Sequence, residues 1–387
     1  DLRQYDVGTY DKSSDTLFVS DLKLSGLYEN AYPNAAAPST VTVMGAELTV
    51  LPSAQADLAA FKVGDKVTLL LTTTGQVAGA VSPDVAKSNA VGVAEVKGTT
   101  ATIKLLDGIL TLEGKTTYSE AAAAKLNGCL VTVSSYKRDY LTLSKVNGKG
   151  ASTALNLTTN RMGTKELSAG ARFFEQVSNG RLVEIDRSDI TITSIPANKI
   201  TYVGYDWAGR VDKLVLNDVT GDRYDYGIIH YQPAGYQETP GNPNGNGEYK
   251  NGEISVTNGS FPKGMPPYVV GSVDGAKTNR MGGVAGSLDQ LDGQNRMAAF
   301  MPLNEAKGIR RAQFDTDAML LTTNSMVIPI SDAVECYNKT TGAWYELGKD
   351  GDHKAALNLA LAFSDDITVY YDRSPEEGGK VRIVVVE

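Results

Sequence analysis

Cysteine and histidine are almost missing from this 387-residue chain, which holds two of each. Cys129 and Cys336 are too few for a disulfide scaffold or a thiolate zinc site. A single bridge between them fits the count, but Cys129 beside an apolar strand reads more simply as a small buried hydrophobe. His230 and His353 stand far apart in sequence, which argues against histidine zinc sites and Ser-His-Asp constellations. His230, in the strand-like run Ile228–Tyr231, is expected to be structural, and His353, at the start of a proposed helix, is expected to be exposed. Positive charge is also short. With a formal charge of −8, the Lys and Arg clusters that release counterions from a polyanion are not expected, and nucleic acid is excluded as a partner. No apolar run approaches the ~18 residues that cross a bilayer, so no membrane span is expected in this segment. The stretch after Asp1 has no basic patch leading into an apolar one, so any export signal or anchor would lie outside these residues.

What is present is enough apolar material to fold. Hydrophobic residues make up 42% and charged residues 21%, and the length exceeds what one core supports, so several compact units are expected. A short phrase recurs: a β-branched residue, Thr, then an apolar or aromatic residue. It reads Val67-Thr68-Leu69, Val131-Thr132-Val133, Ile200-Thr201-Tyr202 and Ile367-Thr368-Val369. Each copy has similar neighbours. Upstream, Ser53 can cap a helix over Ala54 to Phe61, Ser119 one over Glu120 to Leu126, and Asp352 one over His353 to Phe363. The third copy, with Ser194 to Asn198 in that place, has room for one turn at most. Downstream, every copy reads as a hairpin with its turn near Gly75, Arg138-Asp139, Asp206 to Gly209, or Pro375 to Gly379.

The first three threonines are 64 and 69 positions apart, and the last interval is 167, so it holds well over one further unit. Its excess lies between Gln232 and Gly308 and includes Pro240 to Gly247, which is almost all turn-forming residues and is expected to be mobile. That stretch reads either as an elaboration of the last module or as a unit with long loops. The expected fold is mainly β, with tandem small barrel-like modules, each carrying a short helix, plus a loop-rich insertion at 236–310. The module borders are expected at 1–85, 86–150, 151–235 and 236–387.

Several stretches resemble the extracellular regions of clostridial-type surface proteins that carry S-layer homology domains. They are Tyr5–Tyr10 with Tyr28–Asn34, Phe61–Leu71, Leu214–Gly227 and Thr368–Gly379. The resemblance implies export, display on a Gram-positive-type envelope, and contact with cell-wall polymer or neighbouring surface proteins. An S-layer homology repeat is absent from these residues, so the resemblance does not extend to direct wall attachment by this segment.

Candidates for chemistry are sparse. Ser134-Ser135-Tyr136-Lys137 has the Ser-x-x-Lys spacing of some acyl-serine enzymes, which use it at a helix start; here it falls at a strand end, where the side chains diverge. The acid pairs Asp365-Asp366, Glu376-Glu377 and Asp222 with Asp225 sit beside turns, where solvated carboxylates are ordinary. Asn217-Asp218 with Asp222, and Asp289 with Asp292, could offer oxygen to calcium, but turn formation explains them as well. No catalytic residue, metal ligand or cofactor is therefore expected. Tyrosine is the unusual abundance, 19 against 8 Phe and 2 Trp, and suits both shallow sheets and flat binding faces. Tyr202, Tyr205 and Trp207 are the candidates for glycan or partner contact. The expected function is a non-catalytic structural or adhesive surface segment, with recognition of cell-wall or host glycans as the alternative.

Overall fold

Alternation of buried and exposed residues is cleanest between Val91 and Lys145, where it closes a barrel. In a computed structural model of the chain, which describes residues 2–146, 150–238, 247–271, 273–291, 294–347 and 351–387, five strands occupy this stretch. They are Val91–Lys97, Thr100–Leu105, Thr111–Thr116, Leu130–Lys137 and Tyr140–Lys145, and they close in the order one-two-three-five-four. Ala94, Ala101, Ile103, Leu112, Val131 and Leu141 fill the interior with no exposed surface. Strands three and five pair in parallel, through Lys115↔Tyr140 and Thr116↔Leu141, and the other pairs are antiparallel. The chain leaves strand three through helix Glu120–Ala124, capped by Ser119, whose side chain accepts from the Ala122 amide. Five strands in this order, with a helix between the third and fourth, have the topology of the oligonucleotide/oligosaccharide-binding barrel.

The same order recurs along the chain, which is mainly β with few short helices. In the first module, Lys23–Leu27 and Asn30–Tyr32 act as one interrupted first strand, pairing with Lys66–Leu71 and with Thr40–Val43. A parallel bridge, Val50↔Val77, joins its third-strand end to its fifth strand. Its helix differs from expectation. Pro52 takes an opening position of a 3-10 turn, Pro52–Ala54, that runs into Gln55–Leu58, and the Ser53 hydroxyl donates to the Ala78 carbonyl at 3.0 Å instead of capping. The third module is an open sheet in which Leu155–Asn156, Arg161–Met162, Lys165–Gln176, Val211–Asn217 and Ile200–Tyr205 follow the same order, with 3-10 turns at Arg187–Asp189 and Ala197–Lys199 between its third and fourth strands.

Residues 236–310, expected as a loop-rich insertion, carry most of a further closed barrel. Its first strand, Asp225–Gln232, begins before the expected border at 235 and pairs with Gly252–Thr257 and Arg280–Leu291. Tyr268–Val270 and Gln294–Pro302 complete it, again in parallel, at Val269↔Arg296. The Pro- and Gly-rich residues 240–246 lie outside the described residues. The repeat phrase is missing here because this fourth strand is built on glycine. A Cβ on Gly283 would lie 2.6 Å from the Tyr226 ring, and one on Gly286 2.8 Å from the Tyr268 hydroxyl. At these two positions a tyrosine ring lies directly over the strand, and the core beside them is Ile229, Ile254, Val256, Val270 and Val284.

In the last module Asn304–Ile309, Ile367–Tyr371, Val381–Val386, Val327–Asn338 and Leu320–Thr322 are neighbours in that order, with the parallel pair at Cys336↔Val384. Helix His353–Ala362 sits between its third and fourth strands, capped by Asp352 through the Ala355 amide, and buries Leu357 and Leu361. All four repeated threonines fall on fourth strands. Thr132 is exposed and Thr201 and Thr368 are half-buried, whereas Thr68 is covered, its hydroxyl reaching the Ala86 carbonyl at 2.8 Å.

The chain divides into two compact units. The first comprises Asp1–Phe174, Leu182–Ile185 and Ser194–Leu216, and the second Glu175–Arg181, Asp186–Thr193 and Asn217–Glu387. Both cysteines are buried free thiols. Charge burial is concentrated in the second unit. The Arg382 guanidinium, 1% exposed, donates to Asp372 at 2.8 and 2.9 Å, to the Thr220 carbonyl at 2.6 Å and to Ser331 at 3.0 Å. It also pairs with Asp222 and lies 5.0 Å from the Tyr226 ring centre. The other oxygen of Asp372 accepts the Arg373 and Lys380 amides, both at 2.8 Å. Removing one member of such a set strands a buried charge, which costs about 3 to 5 kcal/mol. Arg382→Ala should therefore destabilise the protein by about that amount in urea titrations; a loss below about 1 kcal/mol would contradict this account of the network.

Candidate functional site

The third module's hairpin turn is held by its own carboxylate. Asp206 accepts the Ala208 and Arg210 amides at 3.0 and 2.9 Å and pairs with the Arg210 side chain at 2.8 Å, while Gly209 takes the left-handed conformation at φ 77°. The turn presents Trp207, half-buried, at the edge of a cleft of about 450 Å³ in the first unit. Two register shifts in the strand before it, between Ile200 and Tyr202 and between Gly204 and Tyr205, break strict alternation and leave Tyr205 46% exposed. Lys165 Nζ lies 5.6 Å from the Tyr205 ring centre. Tyr202, Tyr205 and Trp207, singled out from the sequence, thus line one cleft.

Sequence reading missed the carboxylates of the same cleft. Asp21, Asp107 and Asp212 line it with Lys213. Asp107 caps its own turn, one oxygen accepting the Ile109 amide at 2.9 Å, and burial pushes its carboxyl up. Burial also pushes Asp21 up, opposed by the charges of Lys23 and Lys213. Asp212 gives Oδ2 to Lys213, while its buried Oδ1 has no hydrogen-bond partner. The Tyr202 phenol is pushed up by burial and by the Asp212 charge. Only the period-two pattern of the strand Val211–Asn217 hinted that Asp212 faces inward; nothing local marks Asp21 or Asp107.

A second concentration of polar groups lies in the second unit, around a cavity of about 290 Å³ lined in part by Glu335, His353, Asn258, Ser260 and Arg382. Glu335, 4% exposed, accepts the Gly259 amide at 2.8 Å and a longer contact from Ser260 at 3.4 Å. Burial pushes its carboxyl up to about 7 despite those bonds. His353, expected to be exposed, is largely covered: its Nδ1 lies 3.0 Å from the Val334 carbonyl and 4.0 Å from Glu335. The helix that it opens packs onto strand Val327–Asn338, which turns the imidazole inward. A carboxylate near neutrality beside an imidazole has proton-transfer character. The neighbouring hydroxyls are engaged, Ser331 by Arg382 and Ser260 by Glu335.

Other candidates take ordinary places. Ser135 is buried and donates to the Lys137 carbonyl at 3.3 Å, and the Lys137 ammonium lies over the Tyr140 ring. His230 is exposed and bonds Thr257 across the sheet at 3.0 Å. Asp218 pairs with Arg373, and Asp222 with Lys380 and Arg382. Burial raises the Asp222 carboxyl, but Arg382 and Lys380 outweigh it and hold it below the ordinary range. Asn217 accepts the Ser178 amide at 2.8 Å. Asp225 is pushed up by burial, opposed by Arg223. Asp365 accepts the Arg311 amide, and Glu376 and Glu377 are exposed. Asp292 and the side chain of Asp289 lie outside the described residues. Among the described residues no three acids, histidines or cysteines converge as metal ligands, and no helix is long and apolar enough to cross a membrane.

No protein-family model, no curated protein and no solved structure matches this chain.

A carboxyl whose folded pKa is raised favours the folded state only while it is protonated. Stability from Glu335 is therefore complete below about 4.5 and falls as pH rises through about 7. The loss is at most about 3 kcal/mol. Glu335→Gln should flatten the pH dependence of the melting temperature over this window and raise stability at pH 8; an unchanged profile would place the titration elsewhere.

Proposed function

We propose that this chain is a non-catalytic structural and adhesive segment of an extracellular envelope protein, in which tandem barrels serve as spacers and contact platforms. The observation that carries the reading is the fivefold recurrence of one strand order. Arg382, Asp372 and Glu175, all buried, are engaged with one another, with hydroxyls or with backbone amides, which suits a structural role better than an open reaction centre. The resemblance of Phe61–Leu71, Leu214–Gly227 and Thr368–Gly379 to surface-layer-type proteins supports export and display. Protease shaving of intact source cells should release peptides of this chain before lysis. Recovery solely after lysis would refute surface display.

A second reading, recognition of cell-wall or host glycans, is favoured by the aromatic-walled cleft. Trp207 lies in the turn between strands four and five of its module and Thr73 in the corresponding turn of the first module, and both line the cleft. Loops at that position carry ligand contacts in barrels of this topology, an analogy at the level of fold alone. Retention on an insoluble cell-wall polysaccharide should fall on the order of 10-fold or more in a Tyr205→Ala, Trp207→Ala double variant that melts like the parent. Equal retention of both proteins would remove the cleft as the contact site.

A further inference from the structure

Resting on the glycan reading, we propose that the cleft in the first unit takes a cationic saccharide, an amino sugar bearing a free ammonium group, in preference to neutral or N-acylated sugars. Two features of the cleft lead there. The exposed Tyr205 ring and the half-buried Trp207 ring offer apolar faces on which a sugar ring, with its axial C–H groups, can lie. The charge lining is one-sided. Lys213 is the cleft's only cationic lining residue among the described residues, against four carboxylates.

Three of those carboxylates are engaged in part. Asp206 is spent on Arg210 and on its own turn. Asp212 gives one oxygen to Lys213, and its other oxygen is buried with no partner. Asp107 holds the Ile109 amide with Oδ1, which leaves Oδ2 free to face a ligand. A ligand ammonium donating to Asp107 Oδ2 would supply positive charge to a lining short of it, and the Asp212 charge, which acts on Asp107, would add to the attraction. A neutral hydroxyl could donate to Asp107 but would leave the charge excess in place, and an acetamido group replaces the ammonium with a bulkier neutral group. A metal ion is disfavoured because the carboxylates are spread around the cleft and do not converge. The volume of about 450 Å³ lies in the small-ligand range, so a short segment of a polymer is the expected occupant.

The geometry also predicts proton linkage. Burial holds the Asp21 and Asp107 carboxyls above their ordinary range, so pairing with a cation should pull them back down and couple binding to proton release.

The test is isothermal titration of the full chain at about pH 6 with four probes: a glucosamine hexamer, an N-acetylglucosamine hexamer, a neutral glucan hexamer and a lysine hexapeptide. The expected result is binding of the glucosamine hexamer at least about 10-fold tighter than each of the others. Asp107→Asn, whose side-chain oxygen can still cap the turn, should cut that preference several-fold, and Trp207→Ala should weaken binding of all three saccharides. Circular dichroism and melting curves would establish that both variants fold. Equal affinity for the three saccharides would overturn the charge inference and leave the glycan reading standing. Equal affinity for the lysine peptide would reduce the site to a charge trap and overturn the inference. No binding of any saccharide would sink the inference together with the glycan reading.

Discussion

Parallel pairing of the third and fifth strands is the constraint on which the modules depend. Five short strands in a flat sheet would leave two edges open to other chains. Joining strand three to strand five curls the sheet, as Thr116↔Leu141, Val269↔Arg296 and Cys336↔Val384 do in three modules and the Val50↔Val77 bridge does in the first. Parallel neighbours cannot be joined by a tight turn. The chain must therefore leave strand three, cross over, and return through strand four. The crossover is where the modules keep a helix or 3-10 turn; in the fourth module the described residues of the crossover form neither. The hairpin of strands four and five then ends in a tight turn free to vary, and one such turn carries Trp207 to its cleft.

A second constraint is charge. The segment from Asp218 to Tyr226 and the segment from Asp372 to Arg382 meet through ion pairs and backbone bonds, and Arg382 at their centre satisfies two carboxylates, a carbonyl and a hydroxyl at once. Arginine suits this place because its planar fork offers several donors in fixed directions. A lysine could not reach all four acceptors. Two of the stretches that carry the surface-protein resemblance, Leu214–Gly227 and Thr368–Gly379, overlap these segments, so their wording reflects the demands of a buried ionic joint.

Much of the architecture was legible because strands announce themselves by period two and turns by residues with special backbone freedom. The four Val/Ile-Thr phrases locate fourth strands, the expected hairpin turns hold Gly75, Asp139, Gly209 and Gly378 in the left-handed conformation, and Ser119 and Asp352 cap helices. Three readings went astray for identifiable reasons. Pro52 started its helix before Ser53 could cap it. The barrel from Asp225 to Pro302 has glycines at 282, 283 and 286 of its fourth strand, where neighbouring side chains leave no room for a Cβ, and so lacks the phrase. His353 is turned inward by a helix packing onto a strand that no local pattern describes. The aromatic side of the cleft could be nominated from composition and turn chemistry, but its acidic side could not, because Asp21, Asp107 and Asp212 come from three separate modules.

By itself the sequence determined the β class, the recurring strand phrase, the hairpin turns and the caps at Ser119 and Asp352, all of which depend on residues within a few positions of one another. The tertiary structure alone decided that a further barrel fills the long interval, that Arg382 is buried among acids, that Glu335 is held near neutrality, and that an aromatic hairpin meets distant carboxylates. The reason is physical. Backbone propensity acts between neighbours in the chain, whereas desolvation and electrostatic pairing act between neighbours in space.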